Sequence, residues 1–185
     1  MDIYQESFPL AEQMRFSWWI ALLRKKEANP DTGGRLLVLL ENETVVAMAY
    51  CEEGDAATAA YLWYLAARQD ARGKGIGARL YREILGRAER AGSPALLFEV
   101  ETVEETALFS AEAASFARRR IEWYRRLGAK LLEGVHYEQD LGWQPALAMH
   151  IMVHPFQEMD AGSAFAFAKA LLGKGLSETG PLSLT

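Results

Sequence analysis

The stretch Arg72-Gly73-Lys74-Gly75-Ile76-Gly77 places three glycines within five residues, between an apolar strand-like run and an amphipathic helical one. Glycines at this density let the backbone pass close to a large group. A helix opening at the same point presents unpaired amide N–H groups and the positive end of its dipole. The group bound there is therefore expected to be an anion, and a phosphate or diphosphate fits best. Arg72 and Lys74 add positive charge at the rim.

Two glycine-loop chemistries fit poorly. A P-loop needs G-x-x-x-x-G-K-[ST], and Lys74 is followed by Gly75. Gly73, Gly75 and Ala78 do satisfy the dinucleotide pattern G-x-G-x-x-[GA], with Glu99 near the position of a ribose-binding acid. In that fold, however, the first strand runs straight into the first glycine. Here Arg68-Gln69-Asp70-Ala71-Arg72 intervenes and a meander precedes, which leaves an NAD-dependent oxidoreductase as a distant reading.

Other side chains able to do chemistry lie downstream. Tyr124 falls on a helical stripe with Ala117, Ile121 and Leu127, where it is either a core tyrosine bonded to a carbonyl or an acid facing a site. Glu99 and Glu101 alternate with Phe98 and Val100, so both carboxylates share one strand face. Solvated or paired carboxylates are the plain reading of that pair. His150 and His154 are ~13 Å apart on a strand and cannot share an ion, so no metal is expected. His136 reads as an exposed loop residue and Cys51 as core. Arg118, Arg119, Arg120, Arg125 and Arg126 read as a solvated helix face with pairs Arg118–Glu122 and Glu122–Arg126, of which one or two arginines reach the site.

These residues need a sheet and flanking helices to hold them. Residues 8–28 read as a helix ended by Asn29-Pro30-Asp31-Thr32-Gly33-Gly34. Runs 35–41, 44–52 and 58–67 read as an antiparallel meander. A helix over 75–91 with buried stripe Ile76, Leu80, Ile84 and Ala88 leads to a strand at 95–101, implying a parallel crossover. A polar loop over 102–114 precedes a helix at 115–127. Strands follow at 129–133 and 147–154, then a helix at 159–172 and a loose Gly/Ser/Pro tail. This is one α+β domain: 1–158 as the main body, with 159–185 belonging to it.

The 185 residues are half apolar and 24% charged, with net charge −5 and one cysteine. An acidic balance argues against nucleic-acid binding. The lone cysteine excludes an internal disulfide and suits a reducing compartment. No apolar run approaches the ~20 residues of a membrane span, and the acidic start lacks a signal core. A cytoplasmic protein that avoids membranes is expected.

Arg72-x-x-Gly75-x-Gly77, between strand and helix, is similar to the [QR]-x-x-G-x-[GA] motif of the GNAT superfamily of N-acetyltransferases. Residues 65–77 resemble that family's strand-into-loop segment over its full length. Trp123-Tyr124-Arg125-Arg126-Leu127-Gly128-Ala129 resembles its second signature, with Ala129 in place of the usual aromatic and Ala117 where an asparagine is often seen. The order of elements over residues 1–155 agrees too.

The resemblance implies a mostly antiparallel twisted sheet with one splayed parallel strand pair and helices on both faces. It implies acetyl-CoA as donor, with the main chain of Leu65 and Ala67 bonding its pantetheine. Amides of Gly73, Lys74, Gly75, Ile76, Gly77 and Ala78 would hold its pyrophosphate beside Arg72. Tyr124 takes the place of the family's acid, and Glu99, acting through a water, is the candidate base. The acceptor is an amine of a small molecule or peptide. Tyr137 and the N-terminal aromatics Phe16, Trp18 and Trp19 fall near the family's acceptor pocket. A non-catalytic acyl-CoA-binding module is the alternative, and the family's many dimers admit a homodimer.

Overall fold

A computed structural model describes residues 2–28, 34–142 and 145–185. The turn signal at 29–33 lies outside the described residues. The meander forms as expected: β1 (Arg35–Glu41), β2 (Thr44–Glu52) and β3 (Ala60–Ala67). Helix α3 (Ile76–Arg90) then crosses over to β4 (Ala95–Glu101). The completed sheet has seven strands in the order β1-β2-β3-β4-β6-β5-β7, where β5 is Lys130–Gln139, β6 Leu147–Pro155 and β7 Leu176–Leu184. Among the described residues, only β3 and β4 run parallel. No helix among the described residues is long and apolar enough to cross a membrane.

Strand alternation sends side chains to both faces of this sheet, and each face has its own cover. On one face Leu62, Leu96, Phe98 and Met152 meet α3 and α5 (Ala111–Arg126). The stripe Ile76, Leu80, Ile84 and Ala88 is buried as its spacing predicts, with Tyr81 added. On the other face Leu97, Ile151 and Val153 pack against α6 (Ala161–Leu172), while Tyr50 and Tyr64 pack against α1 (Asp2–Ser7) and α2 (Phe16–Ala28).

The parallel pair is short and opens at one end. Register holds only from Ala60↔Leu96 to Leu62↔Phe98. At that point β3 carries an extra residue: Cys51 faces Leu62 and Tyr50 faces Tyr64, leaving Trp63 bulged. A bulge bends its strand and increases the local twist, and here it turns the rest of β3 away from β4.

The closed end is tied by Ser93. Its buried hydroxyl accepts from the Ala60 N–H at 2.7 Å, with the Thr58 and Ala95 carbonyl oxygens at 3.1 and 3.0 Å. Ser93→Ala would strand a buried N–H, at a cost of about 1–3 kcal/mol. We expect its melting temperature to fall by several degrees in a thermal scan; an unchanged value would show that the tie contributes nothing.

Four elements depart from their sequence reading. The helix expected from residue 8 begins only at Phe16 as α2: Pro9 leads into a 3-10 turn at Leu10–Glu12, and a separate α1 precedes it over Asp2–Ser7. The segment read as a polar loop contains α4 (Val103–Ala107) and the first turn of α5. Thr102 caps α4 through the Glu105 N–H and Ser110 caps α5 through the Ala113 N–H, both at 3.0 Å. Strand β5 runs to Gln139, so His136 lies on a strand beside Glu138.

The tail read as loose forms β7 along β5. Proline is tolerated there because β7 is an edge strand. Gly134 of β5 makes room for it: a side chain at Gly134 would meet the Pro181 carbonyl oxygen at 2.3 Å.

Candidate active site

The glycine loop leaves an unusual number of donors unpaired. A 3-10 turn at Gln69–Ala71 ends β3, and Gly73 and Gly75 adopt φ of +75° and +77° before α3 begins. Left-handed backbone at two near positions requires glycine. The first helical bond is Arg79 N–H to the Gly75 carbonyl, at 3.0 Å. Among the described residues, the six consecutive N–H groups of Gly73 through Ala78 therefore have no main-chain or side-chain acceptor. A side chain added at Gly73 or Gly75 would meet no protein atom within 4 Å. The open donors and open space together form a cradle for an anion.

The loop's side chains divide the work. Ile76 turns into the core and offers only its amide. Lys74 is exposed at the rim. Arg72 donates from Nε to the Ala67 carbonyl and from Nη2 to Ser7 Oγ, both at 3.1 Å.

Beyond the bulge, the gap between β3 and β4 becomes a cavity of about 590 Å3. Arg68 N–H bonds the Val46 carbonyl at 2.9 Å, which fixes the bonding alternation between β2 and β3. Ala66 then bonds to β2, while Leu65 and Ala67 turn their N–H and C=O groups towards the gap. The Ala67 carbonyl is taken by Arg72; the other three groups face open space that an extended chain could pair with.

Because the sheet is split here, residues from both of its faces reach one cavity. Tyr124 of α5 enters from one side, its ring packed on Phe98 at 4.3 Å and Tyr81 at 5.3 Å between centroids. The Tyr124 hydroxyl has no hydrogen-bond partner among the described residues. Burial, opposed by nearby Arg120, pushes its pKa up to about 12, so it is a proton donor throughout the neutral range. Glu99 of β4 enters from the other side. Burial raises its pKa, and contacts from the hydroxyls of Tyr61 and Tyr137 and from Gln139 Nε2 oppose that rise. Tyr137 thus lies behind Glu99.

Three charged residues gather here, of which Glu101 and Arg120 are singled out by sequence spacing and Glu12 is not. Glu101 pairs with Arg120 of α5, both largely buried. Glu12, on the 3-10 turn after Pro9, is only 8% exposed and turns its carboxyl towards that of Glu101. Burial first, and then Glu101, push the Glu12 pKa up to about 8 against the pull of Arg120. The turn is held by the Tyr64 hydroxyl, which donates to the Glu12 carbonyl at 2.9 Å. Arg119 and Arg126 also line the cavity. The expected pairs of Glu122 with Arg118 and Arg126 give way to Arg125–Glu122 at 2.9 Å.

The remaining candidates fall elsewhere. His150 and His154 lie on β6, as the strand reading requires, and His154 Nδ1 meets the Tyr81 hydroxyl at 3.3 Å. Cys51 is buried, with its thiol pushed up to about 12. Trp19 is core and Trp18 partly buried against it, while Phe16 is 61% exposed.

A splayed parallel pair behind a glycine loop is the hallmark of one acyltransferase class, and comparison with known proteins agrees. The acetyltransferase (GNAT) family model matches residues 1–129, and the chain belongs to that family. Acyl transfer from an acyl-CoA is its reaction class. A GNAT-family protein from Bacteroides thetaiotaomicron superposes with a TM-score of 0.68 at 21% identity, over 92% of this chain and 85% of that one. A ribosomal-protein-alanine N-acetyltransferase from Brucella melitensis gives 0.55 at 20% identity, over 84% and 91%. A GNAT acetyltransferase from Elizabethkingia anophelis with acetyl-CoA bound gives 0.53 at 10% identity, over 81% and 93%. No protein of curated function matches the chain in sequence.

Proposed function

We propose that this protein is an N-acetyltransferase that moves the acetyl group of acetyl-CoA directly to a primary amine of a small molecule or peptide. The observation that carries the reading is the run of six unpaired amides at the mouth of a split parallel strand pair. It supplies donors for a diphosphate and, a few residues earlier, main-chain groups for an extended amide chain. The Elizabethkingia relative holds acetyl-CoA, and the Brucella relative is named for transfer to an amine; both support the same reading here.

Acetyl-CoA supplies an acyl group activated as a thioester; the protein supplies position and protons. Amides of Gly73 through Ala78, with Arg72 and Lys74 at the rim, hold the diphosphate. The Leu65 and Ala67 main chain aligns the pantetheine arm, and an amide there steadies the negative charge that develops on the thioester oxygen. An amine of ordinary pKa ~10.4 is neutral in about one molecule in a few thousand near pH 7, so a base has to act. Glu99, kept basic by burial, takes that proton through a water. The C–N bond forms, the C–S bond breaks, Tyr124 gives a proton to the departing thiolate, and the second proton of the attacking nitrogen passes through water to restore the Tyr124 hydroxyl. Each such acid or base typically contributes ~10²–10⁴ in rate.

The test pairs binding with turnover. Acetyl-CoA at about 100 times its Kd should add ~2.7 kcal/mol of stability in a thermal scan, whereas NAD should add none. Primary amines should then release free thiol with matching acetylated product by mass spectrometry. Failure of coenzyme A to bind at millimolar concentration would sink the reading.

A further inference from the structure

A second cavity, of about 530 Å3, opens beside the first and shares Ser7, Glu12, Phe116, Arg119, Arg120 and Met149 with it. Its walls come from the turn after Pro9, from α4 and α5, and from the start of β6. Two features set what it can hold. The first is apolar surface left open to water: Phe109 is 74% and Phe116 44% exposed, and both line the cavity with Leu147 and Met149. Large apolar side chains exposed at the lip of a concave site gain free energy when an apolar ligand covers them.

The second feature is sign. Glu12, Glu101, Glu105 and Glu112 line the cavity against only Arg119 and Arg120. Arg120 is committed to Glu101, and Arg119 donates to Ser115 Oγ at 3.1 Å and lies over the Phe116 ring. Carboxyl groups therefore outnumber cations in the cavity, and Glu12 stands where the two cavities meet.

From this geometry we infer that the second cavity is the acceptor site, that it takes a primary amine on an apolar, aryl-bearing body, and that Glu12 is the residue that binds the ammonium group. The inference rests on the acetyltransferase reading and names the acceptor for it. Glu101 is paired with Arg120, and a second carboxylate facing it cannot be ionised at low cost, so Glu12 keeps its proton while the site is empty. An arriving ammonium replaces that proton: Glu12 becomes ionised against the cation and one proton leaves to solvent. The groups facing Glu12 are Glu99 and Glu101 of β4, Arg120 of α5 and the Tyr64 hydroxyl of β3, which burial keeps protonated. Of these, only the carboxylates oppose its ionisation, and an incoming cation relieves them. An acceptor carrying its own carboxylate meets repulsion in the same place, and a polyamine leaves Phe109 and Phe116 uncovered. Glu99 is left free for the proton of the transfer step.

The test uses the full-length protein with saturating acetyl-CoA and three classes of amine: phenethylamine and tryptamine, spermidine, and free amino acids. The arylalkylamines should exceed both other classes in kcat/KM by at least ~100-fold. Their KM should fall as pH rises through about 8, where Glu12 gives up its proton. Glu12→Gln should raise amine KM by about 10–100-fold with kcat and acetyl-CoA KM little changed, and should flatten the pH dependence of KM. Calorimetry in buffers of different ionisation enthalpy should register one proton released per amine bound in the wild type, and none in Glu12→Gln. If amino acids or spermidine are acetylated best, or if Glu12→Gln leaves amine KM untouched, this assignment is overturned while the acetyltransferase reading stands. If coenzyme A itself does not bind, both fall.

Discussion

Tyr124→Phe should bind acetyl-CoA with unchanged affinity yet turn over ~10²–10³-fold more slowly. The substitution keeps the ring, so the contacts with Phe98 and Tyr81 survive. It removes only a hydroxyl that no described residue engages. Deleting a buried hydroxyl without a partner does not destabilise, so the melting temperature should hold or rise slightly. Loss of turnover in a protein at least as stable as the wild type would leave proton donation as the role. With its pKa pushed up to about 12, Tyr124 stays protonated as pH rises past neutrality, so the wild-type kcat should not decline up to about pH 10 on its account. Undiminished turnover in Tyr124→Phe would remove this residue from the mechanism.

What the sequence reveals about such a site is the part made locally. The loop from Arg72 to Ala78 is legible because its conformation is dictated by its own glycines and by the helix that follows. The stripe of α3 and the alternation of Phe98, Glu99 and Val100 are legible for the same reason: a helix or strand imposes one period on neighbouring residues. Thr102-x-x-Glu105 and Ser110 are helix-start signals too, and they mark the openings of α4 and α5.

Glu12 is different in kind. Its burial follows from a break at Pro9, a hydroxyl donated by Tyr64 fifty-two positions away, and the end of β4. No periodicity joins those elements. Strand β7 is hidden by its own composition, since Gly180-Pro181 signals a turn. It pairs nonetheless because it lies at an edge and because Gly134 on β5 admits the Pro181 carbonyl. The positions proposed to choose the acceptor are therefore the ones made by distant contacts, whereas those proposed to hold the donor are made by adjacent residues.

Gly75→Glu tests the local half of that division and should abolish measurable acetyl-CoA binding. Two effects separate cleanly at this position. A non-glycine residue at φ +77° carries a backbone penalty of about 1–2 kcal/mol, which falls on the loop whatever the side chain. Gly75→Ala bears that penalty too, with a methyl group that points into space free of protein atoms within 4 Å. It should melt at nearly the same temperature as Gly75→Glu and lose about tenfold in affinity. The glutamate adds a negative charge in the space the diphosphate needs. Like charges ~5 Å apart repel by about 3 kcal/mol at an effective dielectric constant near 20, which is over 100-fold in Kd before bulk is counted. A large gap in affinity between the two variants, at matched stability, can come only from what occupies the space above the loop. Equal affinities would mean that the six amides face water and nothing else.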